Sequence, residues 1–309
     1  MPRRLPTAVA ACLSAMLLVA ACGSDSSSKG ASTATEASTP PSLQTLAPAP
    51  TTTNPNKPKV SIPATLPTEL KVTELRAGHG DKAADKDVVV VNYVGVRSAD
   101  GTEFDNSWDR GQPFDVQLGA GMVIKGWDEG LVGTQAGGQY QLDIPADLAY
   151  GDNPPGSPIK AGDALTFVVD VLAVIHPSEA ADAPDVTVGT SKGAKEVTTE
   201  DLTPGTGEEA AAGDTVFIDI LAFRGDTGEQ IDSSFGKGGP FPLQLTKDSS
   251  IPGLVTGIPG MKVGGVRKIV IPAADAFGEE GSKEVGLPPN TDLVMVVKLA
   301  ALYSDSTGS

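Results

Sequence analysis

Two stretches of this chain match each other at a constant separation, and that self-similarity constrains the architecture more than any other feature. Tyr93-Val94-Gly95 faces Ile220-Leu221-Ala222, Phe104-Asp105 faces Ile231-Asp232, Pro113-Phe114 faces Pro240-Phe241, Ile124-Lys125-Gly126 faces Ile251-Pro252-Gly253, and Ala149-Tyr150-Gly151 faces Ala276-Phe277-Gly278, all 127 positions apart. Further along, Leu165 pairs with Leu293 and Phe167 with Met295 at an offset of 128, so one residue is added in the intervening loop. The chain is a tandem duplication of one domain. Its 309 residues suffice for two ordinary domains and argue against a single core.

Within each copy the pattern is that of strands. Residues 88–96 are a β-branched run carrying Tyr93, residues 137–145 alternate Tyr140, Leu142 and Ile144 toward one face, and residues 165–174 are a nearly continuous apolar run. One short helix fits the first copy, over 126–132, where Trp127 and Leu131 lie four apart on one face. The second copy places its helix over 253–260, with Pro259 ending it abruptly. The expected fold class is α+β, each copy a curled antiparallel β-sheet wrapped around one short α-helix.

Side chains for nucleophilic, metal or phosphate chemistry are scarce. The two histidines are His79, in the loop GHGD, and His176, at the edge of a periodic region, and both read as solvated loop residues. No metal-ligand cluster and no phosphate loop appears, so a His-based triad is excluded and neither metal nor cofactor is implied. What remains is a set of aromatics with a few polar groups: Tyr93, Phe104, Asp105, Arg110, Phe114, Val123, Ile124, Trp127, Tyr150 and Phe167. Aromatic side chains in a β-rich domain are ordinarily core.

The strings around them decide otherwise. GTEFDNSWDRGQPFDVQLGAGMVIKGWDEGLVG, then IPADLAYG, then LTFVVDVL, resemble the FKBP family of peptidyl-prolyl cis-trans isomerases over the whole first copy, in family order and near-family spacing. The resemblance implies that Trp127 floors an apolar pocket walled by Tyr93, Phe114, Val123 and Phe167, with Ile124 supplying a wall and a backbone N–H. Phe104 and Asp105 stand at one side, Asp105 bonding Tyr93 and pairing with Arg110. Tyr150 offers its hydroxyl to a peptide carbonyl, and Ile159 covers the pocket as a lip. The family binds proline-containing peptides and macrolide inhibitors. Two features depart from the family pattern: Trp108, which either extends the groove or packs on the rim, and the loop GDNPPGSPIKAGD after Tyr150, stiffened by Pro154, Pro155 and Pro158.

The second copy keeps the frame and loses the pocket. Ile220, Ile231, Lys237, Leu254 and Phe277 stand where the first has Tyr93, Phe104, Arg110, Trp127 and Tyr150, and only Asp232, Phe241 and Ile251 stay recognisable. Weak or absent isomerase activity is expected there, leaving either a role in gripping clients or dimer contacts, or that of a structural spacer.

The chain opens MPRRLPTAVAACLSAMLLVAAC, with basic Arg3 and Arg4, an apolar stretch too short and alanine-rich to span a membrane, and small residues before a cysteine. Val19-Ala20-Ala21-Cys22 resembles a bacterial lipobox, in which the Cys22 thiol receives diacylglycerol; the alternative is a soluble secreted protein cleaved nearby. Cys12 would leave with the signal, so no disulfide is possible in the mature chain. Without the first 21 residues, 21 basic groups face 39 acidic ones, for a net charge of −18 that repels nucleic acid.

The expected layout is a signal peptide over 1–21, a Ser/Thr/Pro/Ala-rich unfolded tether over 22–67, an isomerase domain over 68–176, a linker over 177–195, a second FKBP-like domain over 196–304 and a tail over 305–309. The function that follows is an isomerase assisting the folding of exported proteins, lipid-anchored on the outer face of the cell membrane. The alternative is a lipid-anchored chaperone or peptide-binding adaptor whose turnover is incidental.

Overall fold

Long β-branched runs in each copy fold into paired strands that carry most of the core. The computed structural model describes residues 54–247 and 251–304; the signal segment, Cys22 and the chain up to residue 53 lie outside the described residues. In the first unit, β1 (Lys71–Arg76), β2 (Val88–Arg97), β3 (Glu103–Asn106), β4 (Phe114–Gln117), α1 (Lys125–Gly130), β5 (Gln139–Ile144) and β6 (Leu165–Ile175) follow in chain order. The antiparallel sheet runs β1-β5-β6-β2-β3, with β4 also pairing with β2. The second unit repeats it with β7 (Thr198–Thr203), β8 (Thr215–Arg224), β9 (Gln230–Ser233), β10 (Phe241–Gln244), α2 (Pro252–Gly257), β11 (Val266–Ile271) and β12 (Leu293–Tyr303). Its order is β7-β11-β12-β8, with β9 and β10 both on β8.

The period of two along each strand sends alternate side chains to opposite faces. Val89, Val91 and Tyr93 of β2, Tyr140, Leu142 and Ile144 of β5, and Leu165, Phe167, Val169 and Val171 of β6 converge on one core with Trp127 and Leu131. Each helix is shorter than the pattern predicts. The N–H of Leu131 and of Ile258 still bond back to Trp127 and Leu254, after which Gly133 and Gly260 take positive φ and turn the chain away.

Gly126 is what brings α1 against the sheet. A Cβ there would stand 2.4 Å from Ile144 Cγ2, and at Gly253 it would stand 2.2 Å from Ile271 Cγ2. Both contacts lie well inside van der Waals distance, so the approach requires glycine.

The opposite face of the sheets joins the two units. Val90, Ala173 and Ile175 pack on Phe217 and Ala301, with Val88, Leu172 and Tyr303 at the margin. These side chains point away from Tyr93 and Phe167, so the second unit leaves the inner face of the first uncovered.

Two stretches read as free connectors are docked. Of the tether expected over 22–67, the described part packs on the first unit: Lys57 reaches Glu103 and Asp109, and Gln141 donates to the Ser61 carbonyl at 3.0 Å. In the linker over 177–195, Val188 is buried in an apolar cluster with Leu221, Phe223 and Val294. Polar composition hid both, because the contacts use backbone carbonyls and single charged or apolar side chains.

Candidate active site

The loop after β4 and the first turn of α1 set the floor of the site. Asp128 accepts the N–H groups of Gly119 and Gly121, each at 3.1 Å, and both glycines hold positive φ. With the loop pinned and Gly126 pressed on Ile144, the next residue, Trp127, is driven into the inner face of the sheet and is 3% exposed. Its Nε1 is buried without a partner among the described residues, so packing alone holds the ring.

Three edge-on contacts box that ring in, and a fourth backs one of the walls. Tyr93 lies 5.1 Å from Trp127 between centroids, Phe167 5.3 Å and Phe114 6.3 Å, while Phe104 stands 5.5 Å from Phe167. Such geometry sets the positive edge of one ring on the negative face of another. Tyr93 and Phe167 are buried, Phe104, Val123, Ile124 and Tyr150 half-buried, and Phe114 is 38% exposed. A buried floor with progressively exposed walls is a shallow apolar dish, open on one side. Ile159 is buried in the same cluster.

One polar triangle braces the wall. The Tyr93 hydroxyl donates to Asp105 Oδ2 at 2.5 Å, Arg110 Nη2 donates to the Tyr93 oxygen at 2.8 Å, and Arg110 Nη1 pairs with Asp105 Oδ1. The guanidinium also lies 5.4 Å from the Tyr93 ring centroid. Burial first, and then the Asp105 charge, push the Tyr93 hydroxyl well above its ordinary value near 10, against the opposing pull of Arg110. Tyr150 is shifted the same way by burial and then by Asp105, which places its hydroxyl in the carboxylate's field.

Two donors at the rim have no partner among the described residues: the Tyr150 hydroxyl and the N–H of Ile124, which caps α1 in an extended conformation. The structure thus brings together Tyr93, Phe104, Asp105, Arg110, Phe114, Val123, Ile124, Trp127, Tyr150, Ile159 and Phe167. Trp108 is half-buried with Nε1 out of solvent, so its ring packs on the rim instead of standing exposed.

Ser107 escaped the sequence reading. It is fully buried, its hydroxyl accepts the Tyr93 N–H at 2.9 Å and donates to Asn92 at 2.7 Å, and so it joins the Asp105–Arg110 turn to β2. A signal was present: at the repeat offset stands Ser234, which accepts the Ile220 N–H at 2.9 Å.

The profile of the FKBP-type peptidyl-prolyl cis-trans isomerases matches residues 80–172 and again 206–300, together more than half of the chain. The chain belongs to that family. A protein from Streptomyces anulatus named FK506-binding protein is 47% identical over 120 residues, spanning 38% of this chain and 97% of its own. The human peptidyl-prolyl cis-trans isomerase FKBP10 is 32% identical over 211 residues, covering 68% of this chain, which spans only 34% of that protein. Among solved structures, the three FKBP domains of wheat FKBP73 align over 76% of this chain and 95% of that one, at 19% identity and a TM-score of 0.35.

As a tandem FKBP-type isomerase, the protein can be compared with itself. In the second unit Leu254 occupies the floor, with Ile220, Ile251 and Met295 buried around it, and Phe277 has no hydroxyl to offer. Lys237 still pairs with Asp232 at 2.9 Å, but no tyrosine closes the triangle. A cleft of about 260 Å³ in this unit is lined by Asp201, Thr203, Pro204, Met261 and Lys262, beyond the C-terminal end of α2, and none of these residues stands at a position equivalent to the dish.

The triangle makes the FKBP dish sensitive to base. Because folding raises the Tyr93 value, the stability it contributes is complete below pH 10 and is lost as pH rises through the raised folded value. Tyr93→Phe removes hydrogen bonds to two charged groups and is expected to cost about 1.5–3 kcal/mol in urea unfolding at neutral pH. The variant is also expected to lose less stability than the parent between pH 9 and 11, measured by unfolding at each pH; parallel profiles would contradict the assignment.

Proposed function

We propose that the first unit is the isomerising one, that its dish binds the proline ring of a peptide, and that the second unit contributes little or no turnover. The observation that carries this reading is the pairing of a complete ring box and polar triangle in one unit with Leu254, Ile220 and Phe277 in the other.

Rotation about an X–Pro bond breaks amide resonance against a barrier of about 18–20 kcal/mol. At the twisted geometry the nitrogen is pyramidal and the bond less dipolar than in either planar isomer. A dry dish of aromatic edges therefore stabilises the twisted form relative to the planar ones, which prefer water. The Ile124 N–H and the Tyr150 hydroxyl hold carbonyls flanking the proline, so that only the prolyl bond turns. Asp105, kept in place by Arg110 and Tyr93, sets its carboxylate at the wall beside the substrate carbonyl. No nucleophile and no proton transfer is required. The same apolar floor suits macrolides of the FK506 class.

The cell envelope is the proposed place of action, and unfolded exported chains are the proposed substrates. Arg3 and Arg4, the short apolar stretch and Val19-Ala20-Ala21-Cys22 support export and lipid attachment. Two or three acyl chains would hold the protein at the membrane, where one would not. Unfolded X–Pro bonds populate cis at about 10–30% and re-equilibrate over tens to hundreds of seconds, which is the delay such an enzyme shortens.

In the full-length chain, Trp127→Leu copies the second unit's floor and is expected to lower kcat/KM on a short prolyl peptide by at least about tenfold, the equivalent of 1.4 kcal/mol. Leu254→Ala is expected to leave the rate unchanged. Retention of full activity by Trp127→Leu would remove the first dish from the reaction. For the anchor, Cys22→Ala should shift the protein from the membrane to the soluble fraction on cell fractionation, and continued membrane retention would refute lipidation.

A further inference from the structure

Ahead of the first family match at residue 80, the chain lays a strap across the outside of the first unit, and the strap begins on the turn that carries Arg110 of the polar triangle. Asn54 opens it: its side chain accepts the Asn56 N–H at 2.9 Å and its carbonyl accepts the Lys57 N–H at 3.0 Å. That turn delivers Lys57 to a carboxylate pair. Lys57 Nζ lies 2.7 Å from Glu103 Oε1 and 2.7 Å from Asp109 Oδ2, with only 12% of its side chain exposed. Asn106 donates to the same two oxygens at 2.7 and 3.0 Å, and its own carbonyl oxygen accepts the Asp109 N–H at 2.7 Å. Burial works against the Lys57 charge, yet the bonds to Asp109 and Glu103 outweigh it and raise its pKa, while Lys57 draws that of Asp109 down. Both groups are charged at neutral pH.

The strap recurs in the second unit, which marks it as part of the repeat. Position 236 corresponds to Asp109 and position 228 to Gly101. There the Gly236 N–H donates to the Ser178 carbonyl at 3.3 Å, and the Ser178 hydroxyl bonds Asp219 at 3.0 Å. A Cβ on Gly228 would meet Val188 O at 3.1 Å, as one on Gly101 would meet Ile62 Cγ2 at 3.7 Å. In both units the preceding segment crosses the same loop and reaches the same turn. Only the first unit adds a charge to that contact, and only the first has a triangle to brace.

We propose that Lys57 is a positioning residue for isomerisation: through Asp109 it fixes the turn Trp108-Asp109-Arg110, and thereby holds Arg110 on Asp105 and Tyr93 at the wall of the dish. Asp109 sits between Trp108, packed on the rim, and Arg110, whose guanidinium makes two sides of the triangle. With Lys57 neutralised, Glu103 and Asp109 face each other across Asn106 and repel, and the turn moves away from β2. The effect falls on the wall and not on the floor, so peptide binding weakens more than the rotation step slows. This inference rests on the reading that the first unit turns over prolyl peptides.

The test uses the full-length chain with Lys57→Met, Lys57→Arg and Asp109→Asn, assayed on a prolyl peptide beside Trp127→Leu. Lys57→Met is expected to raise KM by about three- to tenfold with kcat within about twofold, the signature of lost binding shared by ground and transition states. Acrylamide is expected to quench Trp108 fluorescence more strongly in Lys57→Met, and Lys57→Arg should restore both readouts. Asp109→Asn, which keeps the side-chain shape, should reproduce the rise in KM if Lys57→Met does not fold. A parent chain that turns over peptide in a Trp127-dependent way, with unchanged KM in folded Lys57→Met or Asp109→Asn, overturns the strap's role and leaves the isomerase reading standing. A parent chain without turnover overturns both.

Discussion

Everything at the dish depends on how closely α1 approaches the sheet. Gly126 and Gly253 each occupy a point where a methyl group would collide with an isoleucine of the facing strand, Ile144 or Ile271. That contact sets the depth of the residue that follows, and the two units place different side chains there. Trp127 fills its position with a flat, edge-contacted ring that the smaller rings of Tyr93, Phe114 and Phe167 surround. Leu254 fills the equivalent position as ordinary core. The duplication has kept the scaffold in both copies and the dish in one. Fold and pocket lining are therefore separable within a single chain.

The polar groups act on shape more than on bonds. Tyr93 is held neutral by burial and by Asp105, and Arg110 balances the carboxylate, so a paired charge sits beside the apolar surface. Under the proposed mechanism, a wall braced in this way would solvate the planar and twisted imide differently, where an adaptable wall would solvate both alike. Ser107 and Asp128 extend the brace, one to β2 and the other to the loop before α1.

The sequence showed the repeat, the long strands and the ring set because each leaves a periodic or motif-level trace. It did not show β1 or β7: Lys71–Arg76 and Thr198–Thr203 are mostly exposed edge strands, whose stabilisation comes from backbone pairing with β5 and β11. The strap was illegible for a related reason. Its composition is that of an unfolded segment, and the partners of Lys57 lie 46 and 52 residues away, where no local pattern points. Trp108 falls in a polar stretch that left its place at the groove open, whereas the turn folds its indole nitrogen inward. Ser107 could have been found by asking which polar residues survive in both copies at the offset of 127.

Residue-resolved binding tests most directly whether a single dish works in this two-domain chain. In the full-length protein titrated with a short X–Pro peptide, NMR shift changes should gather at the amides of Ile124, Trp127 and Tyr150, with exchange between bound cis and trans forms. The amides of Ile251, Leu254 and Phe277 should stay unmoved. Shifts centred on the second unit, or spread equally over both, would contradict it.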